Sequence, residues 1–166
     1  MKKLLLLFVA VTALVACSPK AEQHEFSKQA LSEELIGLDG KKITFDEILK
    51  RHEGSTVVID VWASWCPDCI KGFPSLTELQ KQFPDVDYVF LSADKTQQTW
   101  KESIEKYNLQ GDHYFITDGM KGNFGKSITL DWIPRYIVVD KTGKIALFKA
   151  IEADAHELIT VLKKLK

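Results

Sequence analysis

The sequence predicts an α/β fold: a central mixed sheet with helices on both faces and a hairpin extension at its N-terminal end. Three observations carry this. Residues 56–62 (T-V-V-I-D-V-W) and 86–93 (V-D-Y-V-F-L-S-A) are apolar without alternating, the pattern of strands buried on both faces. Each is followed by a segment of helical period. A third strand pair, residues 135–139 and 144–148, is joined by D-K-T-G, a hairpin turn ending in Gly143. The 166 residues, 45% hydrophobic and 27% charged, suffice for one domain with its own core.

The first element lies outside that fold. Lys2 and Lys3 precede an apolar run from Leu4 to Ala16. The run is shorter than the roughly 20 residues of a membrane span and has the form of a secretory signal. It closes in L-V-A-C, residues 14–17, which resembles the lipobox of bacterial lipoproteins. That resemblance implies removal of residues 1–16 and lipidation of Cys17; the alternative is an ordinary signal peptide with a chance cysteine. Cleavage removes two lysines and no acid, leaving 20 basic against 23 acidic side chains. Such a balance carries no nucleic-acid footprint. Residues 17–29 are polar and aperiodic, a lipidated end and flexible linker. The domain is expected over residues 30–166.

Within it, Asp39-Gly40 between two short apolar segments predicts a hairpin over 34–45, and a short helix follows over 45–52. After the strand 56–62 comes a helix over 67–82 with Leu76, Leu79 and Phe83 inward. Pro74 is expected to break it early with a kink. The strand 86–93 leads to a helix over 96–107, with Trp100, Ile104 and Tyr107 on one face. Residues 113–117 form a short strand. Gly119, Gly122 and Gly125 do not have the spacing of a dinucleotide fingerprint, so 117–128 reads as a loop with a short helix. The last helix, over 154–165, turns Leu158, Ile159, Leu162 and Leu165 inward, while Lys163, Lys164 and Lys166 complement its C-terminal dipole.

Chemistry concentrates in residues 62–74, W-A-S-W-C-P-D-C-I-K-G-F-P. With Cys17 lipidated, Cys66 and Cys69 are the remaining pair, in a compartment where disulfides persist. A zinc site needs four ligands, commonly two close pairs. Here there is one, and His24, His52, His113 and His156 are scattered. A structural bridge across two residues closes almost no chain entropy. A redox pair suits the strand-to-helix junction. Cys66 stands where unpaired N–H groups and the helix dipole stabilise a thiolate. Cys69 lies one turn further in, facing the same way, and Pro67 occupies a first-turn position that needs no N–H donor.

W-A-S-W-C-P-D-C resembles the active-site sequence of the thioredoxin superfamily, and the whole is most similar to the membrane-anchored TlpA/ResA-type thiol–disulfide oxidoreductases, where F-P follows the second cysteine as Phe73-Pro74 does here. W-I-P-R-Y-I-V-V-D-K-T-G-K-I, residues 132–145, resembles the family's cis-proline strand and hairpin. The likeness covers most of residues 31–166. It implies a thioredoxin-like three-layer fold, a cis Ile133-Pro134 bond, Pro134 beside the cysteines, and an Ile133 backbone able to pair with an extended substrate. The other reading is a trans proline opening an edge strand. The resemblance also implies that Cys66 attacks a substrate disulfide and Cys69 resolves the mixed disulfide.

Many ResA-like proteins carry a glutamate six residues after the first cysteine; this chain has Gly72. Asp60, inside an apolar strand, matches the acid of thioredoxin itself and takes the proton-transfer role, unless it faces solvent on the strand. Asp68 between the thiols disfavours the Cys66 thiolate, which argues for a reductase rather than an oxidase. Trp65 and Trp132 are expected to form an exposed substrate platform, with core packing as the alternative; Trp62 and Trp100 are assigned to the core. Lys71 and Arg135 either attract acidic partners or are merely solvated. No cofactor or metal is implied. Electrons would come from a membrane thiol transporter or a partner thioredoxin. The chain is expected to be a monomer on a lipid anchor, facing the periplasm, and Ser18 favours the outer membrane by one sorting rule. The rivals are a thiol peroxidase and a copper(I) metallochaperone. The latter lacks a third soft ligand, since Met1 and Met120 are poorly placed.

Overall fold

Seven strands form one sheet in a computed structural model that describes residues 23–166. They are β1 (Glu34–Gly37), β2 (Lys42–Thr44), β3 (Val57–Trp62), β4 (Asp87–Ser92), β5 (Asp112–Ile116), β6 (Arg135–Val139) and β7 (Ile145–Ala150). The helices are α1 (Lys28–Ser32), α2 (Phe45–Arg51), α3 (Pro67–Gln82), α4 (Gln97–Tyr107), α5 (Asn123–Ser127) and α6 (His156–Leu165). The signal segment 1–16 and Cys17 lie outside the described residues.

The sheet order is β2-β1-β5-β4-β3-β6-β7. β3, β4 and β5 run parallel, because the chain returns through α3 and α4 before each new strand. β6 joins β3 antiparallel, and β7 completes the hairpin. At the other side β1 pairs antiparallel with β5 and carries β2 on the sheet edge. This is the mixed sheet with an N-terminal hairpin that the sequence predicts. All six residues of β3 are buried, in keeping with its unbroken apolar run.

Alternation divides β3 between two layers. Trp62 faces α3, its ring 5.5 Å from that of Phe73, and Phe73 in turn meets Tyr107 of α4 at 5.1 Å. Trp100 of α4 packs on Phe115 of β5. Both Trp62 and Trp100 are core residues, as expected. The remaining face is covered by α1, α2 and α5, which meet through edge-to-face contacts of Phe45 with Phe26 and with Phe124.

Two expectations change. The sequence reads as linker through residue 29, but the fold begins earlier. Phe26 is buried, Ser27 caps α1 by accepting from the Ala30 N–H, and the His24 carbonyl accepts from the Ile145 N–H at 2.8 Å. Burial of one aromatic ring and an N-cap bond are enough to order this polar stretch. Nor does Pro74 break α3, which runs as one element from Pro67 to Gln82. Pro74 is exposed, so its ring lies on the solvent side of the helix.

Candidate active site

The C-terminal ends of β3 and β4 lie side by side, in register from Val57↔Asp87 to Trp62↔Ser92. The loops that leave them therefore meet. Ser92 and Asp94 are buried there; the Ser64 N–H and Oγ both donate to Asp94 Oδ1, at 3.0 and 2.6 Å, and the Ser92 hydroxyl donates to Asp94 Oδ2 at 2.8 Å. This buried carboxylate anchors the turn that presents the cysteines. The Trp65 indole N–H donates to the Ala93 carbonyl at 3.4 Å, so the ring is held in place while half of it stays exposed.

Cys66 is the N-cap of α3, and its Sγ accepts the Cys69 N–H at 3.1 Å. Pro67 takes the first helical position, where its missing donor costs nothing. Cys66 and Cys69 are joined as a disulfide, their Cα atoms 5.3 Å apart. Both are buried, Cys69 more fully, so Cys66 is the sulfur nearer to solvent. A sulfur at the N-terminus of a sixteen-residue helix is stabilised as a thiolate by the dipole and by that N–H.

The Ile133-Pro134 bond is cis, as the resemblance implied. Pro134 and Ile133 are buried, and the Ile133 carbonyl oxygen lies 3.6 Å from Cys66 Sγ. Trp132, just before them, is 54% exposed. Trp65 and Trp132 thus both present apolar surface, and Trp132 continues directly into the Ile133-Pro134 segment against the disulfide.

Asp60 is 2% exposed and neither carboxylate oxygen has a hydrogen-bond partner. It does not face solvent. It shares a face with Trp62 two residues on, and its register partner Tyr136 sits against α3, where a Cβ on Gly72 would lie 3.9 Å from the Tyr136 hydroxyl. Asp60 therefore points into the layer beneath the start of α3. Burial without compensation pushes its pKa up to about 8. Tyr136 is pushed up as well, first by burial and then by the charges of Asp60 and Asp154.

Arg135 corrects one expectation: it is neither a solvated cation nor a lure for partners. It is 1% exposed, is paired with Asp131, and has its guanidinium 5.9 Å from the centre of the Phe148 ring. Lys149 also bonds Asp131, at 2.7 Å. Lys71 is exposed. Asp94 and Tyr136 were not singled out by sequence. The available signal for Asp94 was its place at the C-terminal end of a strand parallel to the one that leads to Cys66. Among the described residues no group of three or more His, Cys, Asp or Glu side chains is placed to hold a metal ion.

A family profile described as Redoxin matches residues 23–156. Among curated proteins, the chain is similar to the thiol-disulfide oxidoreductase ResA of Bacillus thuringiensis subsp. konkukian, 28% identical over 99% of each chain. It is also similar to the sporulation thiol-disulfide oxidoreductase A of Bacillus subtilis, 24% identical over 95% of this chain and 94% of that one. Among solved structures, the thioredoxin domain of a thiol-disulfide oxidoreductase from Bacteroides vulgatus superposes with a TM-score of 0.66 at 23% identity, over 81% of this chain and 93% of that one.

Proposed function

The chain belongs to the Redoxin family, and from that premise we propose that it reduces protein disulfides through a Cys66/Cys69 dithiol–disulfide cycle. It is a thiol–disulfide oxidoreductase of the thioredoxin superfamily, like its ResA relatives. The observation that carries the reading is the Cys66–Cys69 pair at the N-terminus of α3, with the Ile133 carbonyl 3.6 Å from Cys66 Sγ.

In the reduced enzyme the Cys66 thiolate attacks one sulfur of a substrate disulfide, and the other sulfur leaves as a thiolate. The substrate lies extended along the backbone at Ile133, between Trp65 and Trp132. Cys69 then attacks Cys66 Sγ, which forms the enzyme disulfide and expels the second substrate thiolate. Two electrons have passed to the substrate. The Cys69 proton goes to Asp60, whose raised pKa allows it to accept a proton near neutral pH. A membrane thiol transporter or a partner thioredoxin returns the electrons.

The direct test is reduction of insulin disulfides with dithiothreitol as donor. The wild-type chain is expected to exceed dithiothreitol alone, and Cys66→Ser to fall to the dithiothreitol rate. A wild-type rate equal to that of dithiothreitol would remove the reading.

The same proposal places a monomer on the periplasmic side, anchored through a lipid on Cys17. Among the described residues no helix is long and apolar enough to cross a membrane. The L-V-A-C sequence and the polar residues after it support a lipid anchor, and Ser18 favours the outer membrane. Cys17→Ala is expected to shift the protein from the membrane pellet to the soluble fraction with insulin reduction unchanged. Retention of that variant in the pellet would show an attachment other than the lipid.

A further inference from the structure

A cleft of about 390 Å³ opens beside the disulfide, between the first turns of α3 and the segment 151–154 that leads into α6. Trp132 and Pro134 form the side of the cleft nearest Cys66, and Ile151 stands on its rim. Trp132 and Ile151 are large apolar side chains left about half exposed. Three carboxylates, Asp68, Glu152 and Asp154, line the cleft against one ammonium, Lys71. Asp154 is held in place by the Ser75 hydroxyl, which donates to its Oδ2 at 3.2 Å.

The floor supplies an independent observation. Tyr136 is 1% exposed, yet its hydroxyl has no hydrogen-bond partner among the described residues. Gly72 also lines the cleft, and a Cβ there would lie in ordinary contact with the hydroxyl, at 3.9 Å. A phenol at the floor of an acidic cleft can donate to a carboxylate and still accept from an incoming ammonium or guanidinium.

We propose that this cleft is a specificity subsite for a lysine or arginine side chain carried by the substrate protein within one or two residues of its disulfide. The inference rests on the disulfide-reductase reading of the same site. The long aliphatic stem lies along Trp132 and Ile151, where a cation near the indole face also gains. The charged end meets Glu152 and Asp154 and donates to the Tyr136 hydroxyl. An apolar side chain covers the wall but leaves the carboxylates unmatched, and an acidic one is repelled. Trp132 and Pro134 flank the Ile133 backbone along which the substrate lies. Same-face neighbours on a strand are about 7 Å apart, so the side chain that enters is adjacent to the reacting cysteine or one further on.

The test uses the full chain and a family of disulfide-linked peptides that differ at one position, placed in turn one or two residues before or after the cysteine. Lysine, norleucine and glutamate are compared by kcat/KM. At one position or more, lysine is expected to exceed norleucine by about fivefold and glutamate by about tenfold at low salt, the scale of exposed charge pairs. The spread should narrow as salt is added. In the double variant Glu152→Gln/Asp154→Asn the lysine-to-glutamate ratio should fall toward one. Equal kcat/KM for all three peptides at every position overturns the subsite while leaving the reductase intact, and so does a lysine preference that survives the double variant. Failure of the enzyme to reduce any of the peptides overturns the reductase reading, and the subsite with it.

Discussion

Replacing Cys69 with alanine is expected to abolish turnover while leaving the first chemical step in place. Cys66 keeps its place as N-cap of α3 and its contact with the backbone N–H of residue 69, which the substitution does not remove. It still attacks a disulfide. With no second sulfur one helical turn away, the covalent adduct cannot be released from within, and it accumulates. Incubated with an envelope extract, Cys69→Ala should yield adducts visible on non-reducing gels and absent after dithiothreitol. Multiple-turnover reduction of insulin should fall to the rate of the added reductant alone. The reciprocal variant, Cys66→Ala, should give no adducts, because the sulfur that remains is 1% exposed. Comparable adducts from both variants would mean that either cysteine can lead the attack, and the assigned order would fail.

The second large effect belongs to Asp60. Its carboxylate is buried without a hydrogen bond, and its pKa in the folded chain is pushed up to about 8, against about 3.9 when unfolded. The folded state therefore holds a proton that the unfolded state releases between about pH 4 and pH 8. Asp60 leaves stability untouched below that window, lowers it steadily as pH rises through it, and exerts a constant cost above it. Asp60→Asn removes this slope. Each tenfold difference in proton affinity between the two states is worth about 1.4 kcal/mol. At pH 8 the variant should therefore be more stable by about 3–5 kcal/mol, measured by urea unfolding. On the proposed cycle, the same change also takes away the proton acceptor for Cys69. Resolution of a preformed mixed disulfide should slow by on the order of 10²-fold near neutral pH. A less stable variant with normal resolution would assign Asp60 a structural bond and move the proton elsewhere.

How much of this was legible in the sequence depended on how local each signal is. The unbroken apolar runs of β3 and β4 and the 3.6-residue period of α4 and α6 are carried by neighbouring residues, so those elements were readable. The cysteine pair was readable because its spacing and its place after a strand already define a helix N-terminus. Phe26 was not readable: one aromatic residue in a polar stretch has no period, and it is ordered by Phe45, nineteen positions away, and through it by Phe124. Arg135 looked free because its partners, Asp131 and Phe148, are supplied by the loop before it and by the next strand. Tyr136 passed as an ordinary strand residue, since its hydroxyl matters only because the sheet sets it under Gly72 of α3. In each case the information lies in a juxtaposition across elements rather than along the chain.

The bond from the Ile145 N–H to the His24 carbonyl fixes more than a chain end. Ile145 pairs with Val139, and Val139 with Val57, the first residue of β3. The cysteines follow the last residue of β3, one strand length away, about 20 Å at 3.3 Å per residue. His24, near the start of the described residues, is therefore moored at the pole of the molecule opposite the reactive sulfurs. Only six residues lie between Cys17 and His24, so seven Cα-to-Cα steps reach at most roughly 25 Å. On the proposed lipid anchor at Cys17, the body would ride close to the bilayer with its chemistry aimed outward, and clients arriving from the aqueous space would be favoured over those embedded in the same membrane.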